Sequence, residues 1–223
     1  MSEIKIVSID IDGTLLNDQR EVTPEVKQAI KHALAQDVKI VITTGRPLPG
    51  VKGILAELGI AGDNQYVITY NGGLVQTADG KKTLFRQPLS VAEFKKINDF
   101  MVSKDTYVQV ETHDAAYTTH HKIHPWASFE NSLVNLPLFV LDSEAELEKV
   151  EFIKAIANDE ESKLDLVQAA VLDDISQNVN VIRSTANNLE FIDRQASKGN
   201  SLLALAKKLA VKPSETMAIG DQA

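Results

Sequence analysis

The sequence predicts an α/β fold: a parallel sheet covered on both faces, with a second, α+β domain inserted into the chain. Three observations lead there. Near-continuous apolar runs at Ile4–Ile11, Val38–Thr43 and Tyr66–Tyr70 alternate with helical segments, as strands buried on both faces of a parallel sheet do. After about Phe85 the runs give way to longer loops and mixed segments. Near the C-terminus the first style returns.

The elements follow in order. Ile4, Ile6, Val7, Ile9 and Ile11 form a buried strand that Gly13 and Thr14 break. Thr23-Pro24-Glu25 starts a helix, with Thr23 as N-cap and Pro24 at the first helical position, and this helix runs to about Ala35. Val38–Thr43 is a second strand ending at Thr44-Gly45-Arg46, and Pro49–Leu58 a helix stopped near Gly59. Tyr66–Tyr70 is a third strand, closed by Asn71-Gly72-Gly73.

In the middle of the chain, helices are predicted near Val91–Ser103, Ser143–Val150 and Glu160–Ala170. Strands are predicted near Tyr107–Glu111, Ala115–Thr119, Glu151–Ala157, Val179–Ser184 and Glu190–Asp193. Their alternation suggests a sheet with one open face. Residues 86–186 are read as this inserted domain, and residues 1–85 and 187–223 as the first domain. Ser197-Lys198-Gly199 precedes a helix over Asn200–Leu209, and Pro213-Ser214-Glu215 leads into a strand over Thr216–Ile219, followed by Gly220-Asp221-Gln222-Ala223.

Composition narrows the chemistry. The formal net charge is −8 and no dense Lys/Arg run occurs, which argues against nucleic-acid and anionic-membrane partners. A small anionic substrate is compatible with it, because local charge and a bound divalent cation can oppose the global sign. There is no cysteine, so disulfides, thiolate catalysis and Cys-based zinc sites are excluded. The N-terminus lacks a basic start followed by an apolar core. No apolar stretch approaches the roughly 18 residues needed to span a bilayer. A cytoplasmic protein is therefore expected.

Ligands of open parallel sheets bind outside the carboxyl ends of the strands. Asp10 and Asp12, Thr44, Asn71 and Asp221 all lie at or just beyond such ends, and Lys198 adds a cation at a helix start. A carboxylate such as Asp10 can attack phosphorus and split hydrolysis into two steps. A second carboxylate, Asp12, can protonate the leaving oxygen and then deprotonate the attacking water. Gly13 lets the backbone turn close to the substrate. Two neighbouring carboxylates repel, so a divalent cation such as Mg²⁺ is expected between them. Thr44 offers a hydroxyl and an amide to phosphate oxygens, and Lys198 would neutralise the phosphoryl group. Each residue alone also has a plainer reading: Thr44 a helix N-cap, Arg46 a solvated arginine, Asn71-Gly72-Gly73 a turn, Lys198 an exposed lysine, and Gly220-Asp221 a turn. His113, His120, His121 and His124 crowd the inserted domain. Pro125 and the β-branched Thr118 and Thr119 argue against a zinc-binding helix there, and substrate selection by this loop is the better reading. Trp126 and Phe129 are expected to pack in the core or in a lid.

These residues resemble the haloacid dehalogenase superfamily, specifically its Cof-type sugar-phosphatase branch with a class IIB cap. The motifs are Asp10–Leu16 (DIDGTLL), Thr43–Arg46 (TTGR), Tyr70–Gly73 (YNGG), Ser197–Gly199 (SKG) and Ala218–Gln222 (AIGDQ). The resemblance implies a Rossmann-like core and a mobile α+β cap of the C2B type. It implies Asp10 as nucleophile and magnesium ligand, and Asp12 as general acid/base that binds the metal through its backbone carbonyl. Thr44, Gly45 and Lys198 would hold the phosphoryl group, Arg46 and Asn71 would lie on the substrate side, and Asp221 would complete the metal ligands. Asp12 fits phosphatases rather than dehalogenases, which lack an acid/base at that place. The implied activity is Mg²⁺-dependent hydrolysis of small phosphorylated metabolites such as sugar phosphates, through an aspartyl-phosphate. A catalytically impaired binding module and a phosphotransferase or mutase are the alternatives. The family pattern continues past GDQ to an Asn-Asp pair, another strand and helices. None of these follows Ala223, so the C-terminal part of the core is expected to be incomplete. The oligomeric state is left open.

Overall fold

The structure, a computed structural model, describes residues 3–221. Gln222, the last residue of the Ala218–Gln222 motif, lies outside them. Contacts divide the chain into one unit of Met1–Arg86 with Ser197–Ala223 and another of Gln87–Ala196.

In chain order the first unit begins with β1 (Ile6–Asp10), α1 (Pro24–Ala35), β2 (Lys39–Thr43), α2 (Lys52–Glu57), β3 (Tyr66–Thr69), β4 (Leu74–Thr77) and β5 (Thr83–Arg86). The second contains α3 (Val91–Ser103), β6 (Tyr107–Glu111), β7 (Ala116–Thr118), α4 (Pro125–Leu133), β8 (Leu138–Val140), α5 (Glu144–Leu147), β9 (Lys154–Asn158), α6 (Glu161–Ala169), α7 (Asp173–Ser176), β10 (Val179–Thr185) and β11 (Asn188–Asp193). The chain returns to the first unit with α8 (Lys198–Lys208) and β12 (Thr216–Ile219).

The first sheet runs in the order β12-β1-β2-β3-β4-β5. Its first four strands are parallel, and β4 and β5 add antiparallel to one side. Alternation along the strands feeds two apolar layers. Ile9, Ile40, Ile42 and Val67 pack with Ile30 of α1 and Leu55 of α2. Ile6, Val41, Tyr66 and Ile68 pack with Leu202, Leu205 and Ala206 of α8. Strands buried on both faces have no polar side to show, which is why they read as continuous apolar runs. Among the polar exceptions, Ser8 and Thr43, both buried, share a hydroxyl–hydroxyl hydrogen bond of 2.6 Å. Because β2 lies on one side of β1 and β12 on the other, the chain changes winding direction at β1. Such a switch leaves a crevice beyond the strands' carboxyl ends.

The second sheet runs β10-β11-β9-β6-β7-β8 and is antiparallel except for β7 with β8. Val108, Val110, Ala155, Ala157, Leu189 and Phe191 face a core built with α3 and α6. The opposite face is polar rather than open, since Gln109, Glu111, Lys154, Asn158 and Glu190 are all buried. Asn131 of α4 and Gln109 exchange amide hydrogen bonds of 2.9 and 3.0 Å. Lys154 Nζ lies 3.4 Å from Glu111 and 3.1 Å from Glu190.

Several expectations are corrected. The second unit does not end at residue 186: β10 and β11 pair with each other and with β9, which keeps the chain in the second sheet as far as Ala196. The short strands β4, β5 and β8 and the one-turn helix α7 escape the sequence reading, because three or four residues carry no clear period. Pro125 was read against a helix carrying both His120 and His124, and none forms there; the proline instead starts α4, which went unread. His124 caps it by accepting from the Trp126 amide at 3.3 Å, and proline at the first helical position lacks only a proton that would be unpaired anyway. The last helix begins at Lys198 rather than Asn200, with Ser197 accepting from the Asn200 amide at 3.1 Å.

Candidate active site

Five chain segments of the first unit meet beyond the carboxyl ends of its parallel strands. The first is the end of β1. Asp10 is paired in register with Thr43 of β2, and its Oδ1 accepts from the Ile11 amide at 2.9 Å and from Lys198 Nζ at 3.0 Å. Its Oδ2 has no partner among the described residues. The turn that follows is anchored by buried Ile11 and Leu15. Between them Asp12 is extended and Gly13 has φ +75°. A Cβ at Gly13 would lie 2.7 Å from Asp221 Oδ2, so this glycine serves both the turn and the close approach of a second carboxylate.

The second segment follows β2. Thr44 is buried, its amide donates to the Ile68 carbonyl at 2.9 Å, and its hydroxyl accepts from the Arg46 amide at 3.1 Å. The hydroxyl therefore shapes a local turn and caps no helix. Arg46 is no free surface arginine, since its Nη2 lies 2.6 Å from Asp12 Oδ1.

The third segment follows β3. Tyr70, Asn71 and Gly72 have φ of 55°, 53° and 97°. A buried tyrosine in the left-handed region is a conformation held by its surroundings. The backbone secures it: the Asn71 amide donates to the Thr44 carbonyl at 3.0 Å and the Tyr70 amide to Arg46 at 3.4 Å. The Asn71 side chain lies against Gly45, where a Cβ would be 3.0 Å from Nδ2. Asn71 therefore packs on the Thr44–Arg46 loop, and Gly45 leaves it the room. The fourth segment is the start of α8, which aims Lys198 at Asp10. The fifth is the end of β12, where Asp221 is exposed beside Gly13.

The donor set suits a hard divalent cation. No group of three or more His, Asp or Glu side chains among the described residues is placed to hold a metal. The Asp12 carboxylate pairs with Arg46 instead. Asp10 with its unpartnered oxygen and Asp221 beside the turn supply two carboxylates. One or two carboxylates with phosphate and water oxygens is the usual protein share of a Mg²⁺ shell. The arrangement brings a carboxylate, a second carboxyl two residues on, a cation and a buried hydroxyl to one end of the sheet. Phosphoryl transfer needs positioned charge of this kind.

The histidines of the second unit do other work. His124 caps α4 and its Nε2 lies 3.6 Å from Asp159, which also takes Lys163 at 2.7 Å. The His120 ring packs on Tyr107 at 5.3 Å between centroids. Both histidines line a polar cleft of about 300 Å³. Trp126 and Phe129 pack edge to face at 5.9 Å, but Phe129 is half exposed and belongs to no core.

One residue of the site went unread in the sequence. Ser201 is fully buried on α8 and donates to the Gly72 carbonyl at 2.6 Å. The available signal was a serine on the apolar stripe that contains Leu202, Leu205 and Ala206.

The chain is similar in sequence and fold to known proteins. The family described as "haloacid dehalogenase-like hydrolase" matches residues 7–223. A protein of Streptococcus pyogenes serotype M6 with the name "Putative phosphatase" is 37% identical over 218 residues, covering 98% of this chain and 81% of its own. Bacillus subtilis "Putative phosphatase YxeH" is 32% identical over 217 residues, covering 97% and 80%. The crystal structure of a haloacid dehalogenase-like hydrolase from Bacteroides thetaiotaomicron superposes with a TM-score of 0.84 at 20% identity, covering 98% of this chain and 82% of that one.

Proposed function

Since the chain belongs to the haloacid dehalogenase-like hydrolase family, we propose that it is a Mg²⁺-dependent phosphatase of small phosphorylated metabolites, sugar phosphates among them, working through an aspartyl-phosphate on Asp10. The observation that carries the reading is Lys198 Nζ at 3.0 Å from Asp10 Oδ1, with Thr44 entering from the neighbouring strand. A lysine there offsets negative charge both on the nucleophile and on the phosphoryl oxygens.

In the first step the Asp10 carboxylate attacks phosphorus as the bond to the leaving oxygen breaks, and Asp12 donates the proton that oxygen needs. In the second step Asp12 takes a proton from water, and the hydroxide releases phosphate and restores Asp10. Arg46 orients the Asp12 carboxyl through its 2.6 Å contact. Thr44 and Gly45 receive the phosphoryl oxygens, and Asn71 holds that loop in place from the substrate side. Mg²⁺, held by Asp10, Asp221 and the Asp12 carbonyl, would supply charge stabilisation in the transition state. In this reading the first unit is the catalytic core, and the second unit is the cap that selects substrates.

The test is phosphate release from p-nitrophenyl phosphate by the full 223-residue chain. Activity is expected with Mg²⁺ and not in EDTA, and Asp10→Asn is expected to abolish it while the circular dichroism spectrum is retained. Undiminished turnover in Asp10→Asn would overturn the proposal.

A further inference from the structure

We propose that Ser201 is a positioning residue: its hydrogen bond to the Gly72 carbonyl sets where Lys198 meets Asp10. The kinetic part of this inference rests on the phosphatase reading above.

Neither helix propensity nor burial explains a serine at this place. Alanine is the better helix former, and the neighbouring buried positions of α8 are Leu202, Leu205 and Ala206. A serine inside a helix commonly bonds back to the carbonyl one turn earlier. Here that carbonyl, Ser197 O, takes the Ser201 amide at 3.0 Å. The hydroxyl reaches instead across 129 residues of sequence to Gly72 O at 2.6 Å.

What the bond joins is specific. Gly72 touches the helix start so closely that a Cβ there would lie 2.2 Å from Ser197 O and 2.9 Å from Lys198 N. Where the two backbones meet, the Ser201 hydroxyl ties one to the other and fixes their register. The turn it grips contains the left-handed Tyr70, Asn71 and Gly72 and is tied by backbone bonds to Thr44 and Arg46. Lys198 lies three residues before Ser201, on the same side of the helix. One hydroxyl thus puts the lysine and the Thr44 loop in a common frame. Without it, the Gly72 carbonyl loses its partner in a buried place, and the turn or the helix end shifts to find another. A shift of about 1 Å in a group that positions charge can cost up to about a hundredfold in rate.

The experiment measures kcat and KM for p-nitrophenyl phosphate with Mg²⁺ in the full chain, in Ser201→Ala, in Lys198→Ala and in the double variant. Ser201→Ala is expected to lower kcat about tenfold or more with a smaller change in KM. In the Lys198→Ala background it is expected to change kcat no further, and Ser201→Thr, which keeps the hydroxyl, to recover most of the loss. An equal proportional loss in both backgrounds overturns the inference, because a general structural role would persist without the lysine.

A second readout does not need activity. In the reductively ¹³C-methylated protein, the signal assigned to Lys198 by its loss in Lys198→Arg is expected to move toward the free-lysine position in Ser201→Ala. An unmoved signal overturns the inference. Absence of turnover in the unmodified chain would sink the phosphatase reading alone, and the lysine signal would still decide the role of Ser201. If Ser201→Ala fails to fold, Ser201→Cys, whose thiol fills the space but donates weakly, carries both readouts.

Discussion

Gly13 shows how much one residue can carry. Its φ of +75° closes the turn after β1, and its missing Cβ leaves Asp221 room at 2.7 Å. Substitution there has two separable costs. Alanine at positive φ costs about 1 kcal/mol or somewhat more. The new methyl also meets a flexible carboxylate, which moves aside more readily than backbone would. Gly13→Ala is therefore expected to fold with a modestly lowered urea midpoint while the Mg²⁺ concentration needed for half-maximal turnover rises tenfold or more. A metal titration of the variant checks this, and an unchanged half-saturation would separate Asp221 from the metal. Asp10, Asp12, Thr44 and Asn71 were legible because each is a polar residue at or just beyond the point where an apolar run stops, and Lys198 because it stands at a helix start. The Arg46–Asp12 contact and the role of Gly45 as space for Asn71 were not. They join side chains from different loops, and no local pattern records such a meeting.

At the scale of elements, capping decided what could be read. Thr23 with Pro24 was read as a helix start, and in the structure its hydroxyl meets the amide three residues on; Ser90 does the same for α3 without having been singled out in the sequence. Ser90 accepts from the Glu93 amide at 3.1 Å at the entrance to α3, whose Phe94, Ile97 and Met101 fill the second unit's core. Ser90→Ala is expected to lower that unit's stability by about 1 kcal/mol. Trp126, the chain's one tryptophan, lies in that unit, so urea unfolding followed by its fluorescence measures the change. A midpoint equal to the parent's would show that the cap is replaced by water. α4 was missed for a complementary reason. Its cap is a histidine, an uncommon choice, and its proline was weighed as a helix breaker and not as a helix starter.

At the scale of the molecule, the chain is acidic, with a net charge of −8, and its second sheet buries charge. Glu111 is pushed above the usual carboxylate range, first by burial, against the pull of Lys154. The sign follows from proton counting. A group whose folded pKa is raised binds more protons folded than unfolded, so its contribution is fully present below its unfolded pKa near 4.5 and is lost as pH rises through the raised folded value. The parent protein is therefore expected to lose stability relative to Glu111→Gln as pH is raised from 4.5 toward neutrality, again read by Trp126 fluorescence in urea. A gap between the two that stays constant with pH would show that Glu111 titrates normally. No helix among the described residues is long and apolar enough to cross a membrane.

By itself the sequence determined the parallel sheet of the first unit and the residues that gather at its edge. Both follow from local rules: apolar runs mark strands buried on two faces, and Gly, Asp, Asn and Thr mark where those strands end. Only the tertiary structure decided that β10 and β11 belong with β9, that the second sheet's other face is polar and buried, that Arg46 turns to Asp12, and that Ser201 grips Gly72. Each of these is a contact between segments far apart in the chain. Hydrogen bonds and steric fit at such contacts depend on how the layers stack, and no stretch of sequence with its own period contains that information.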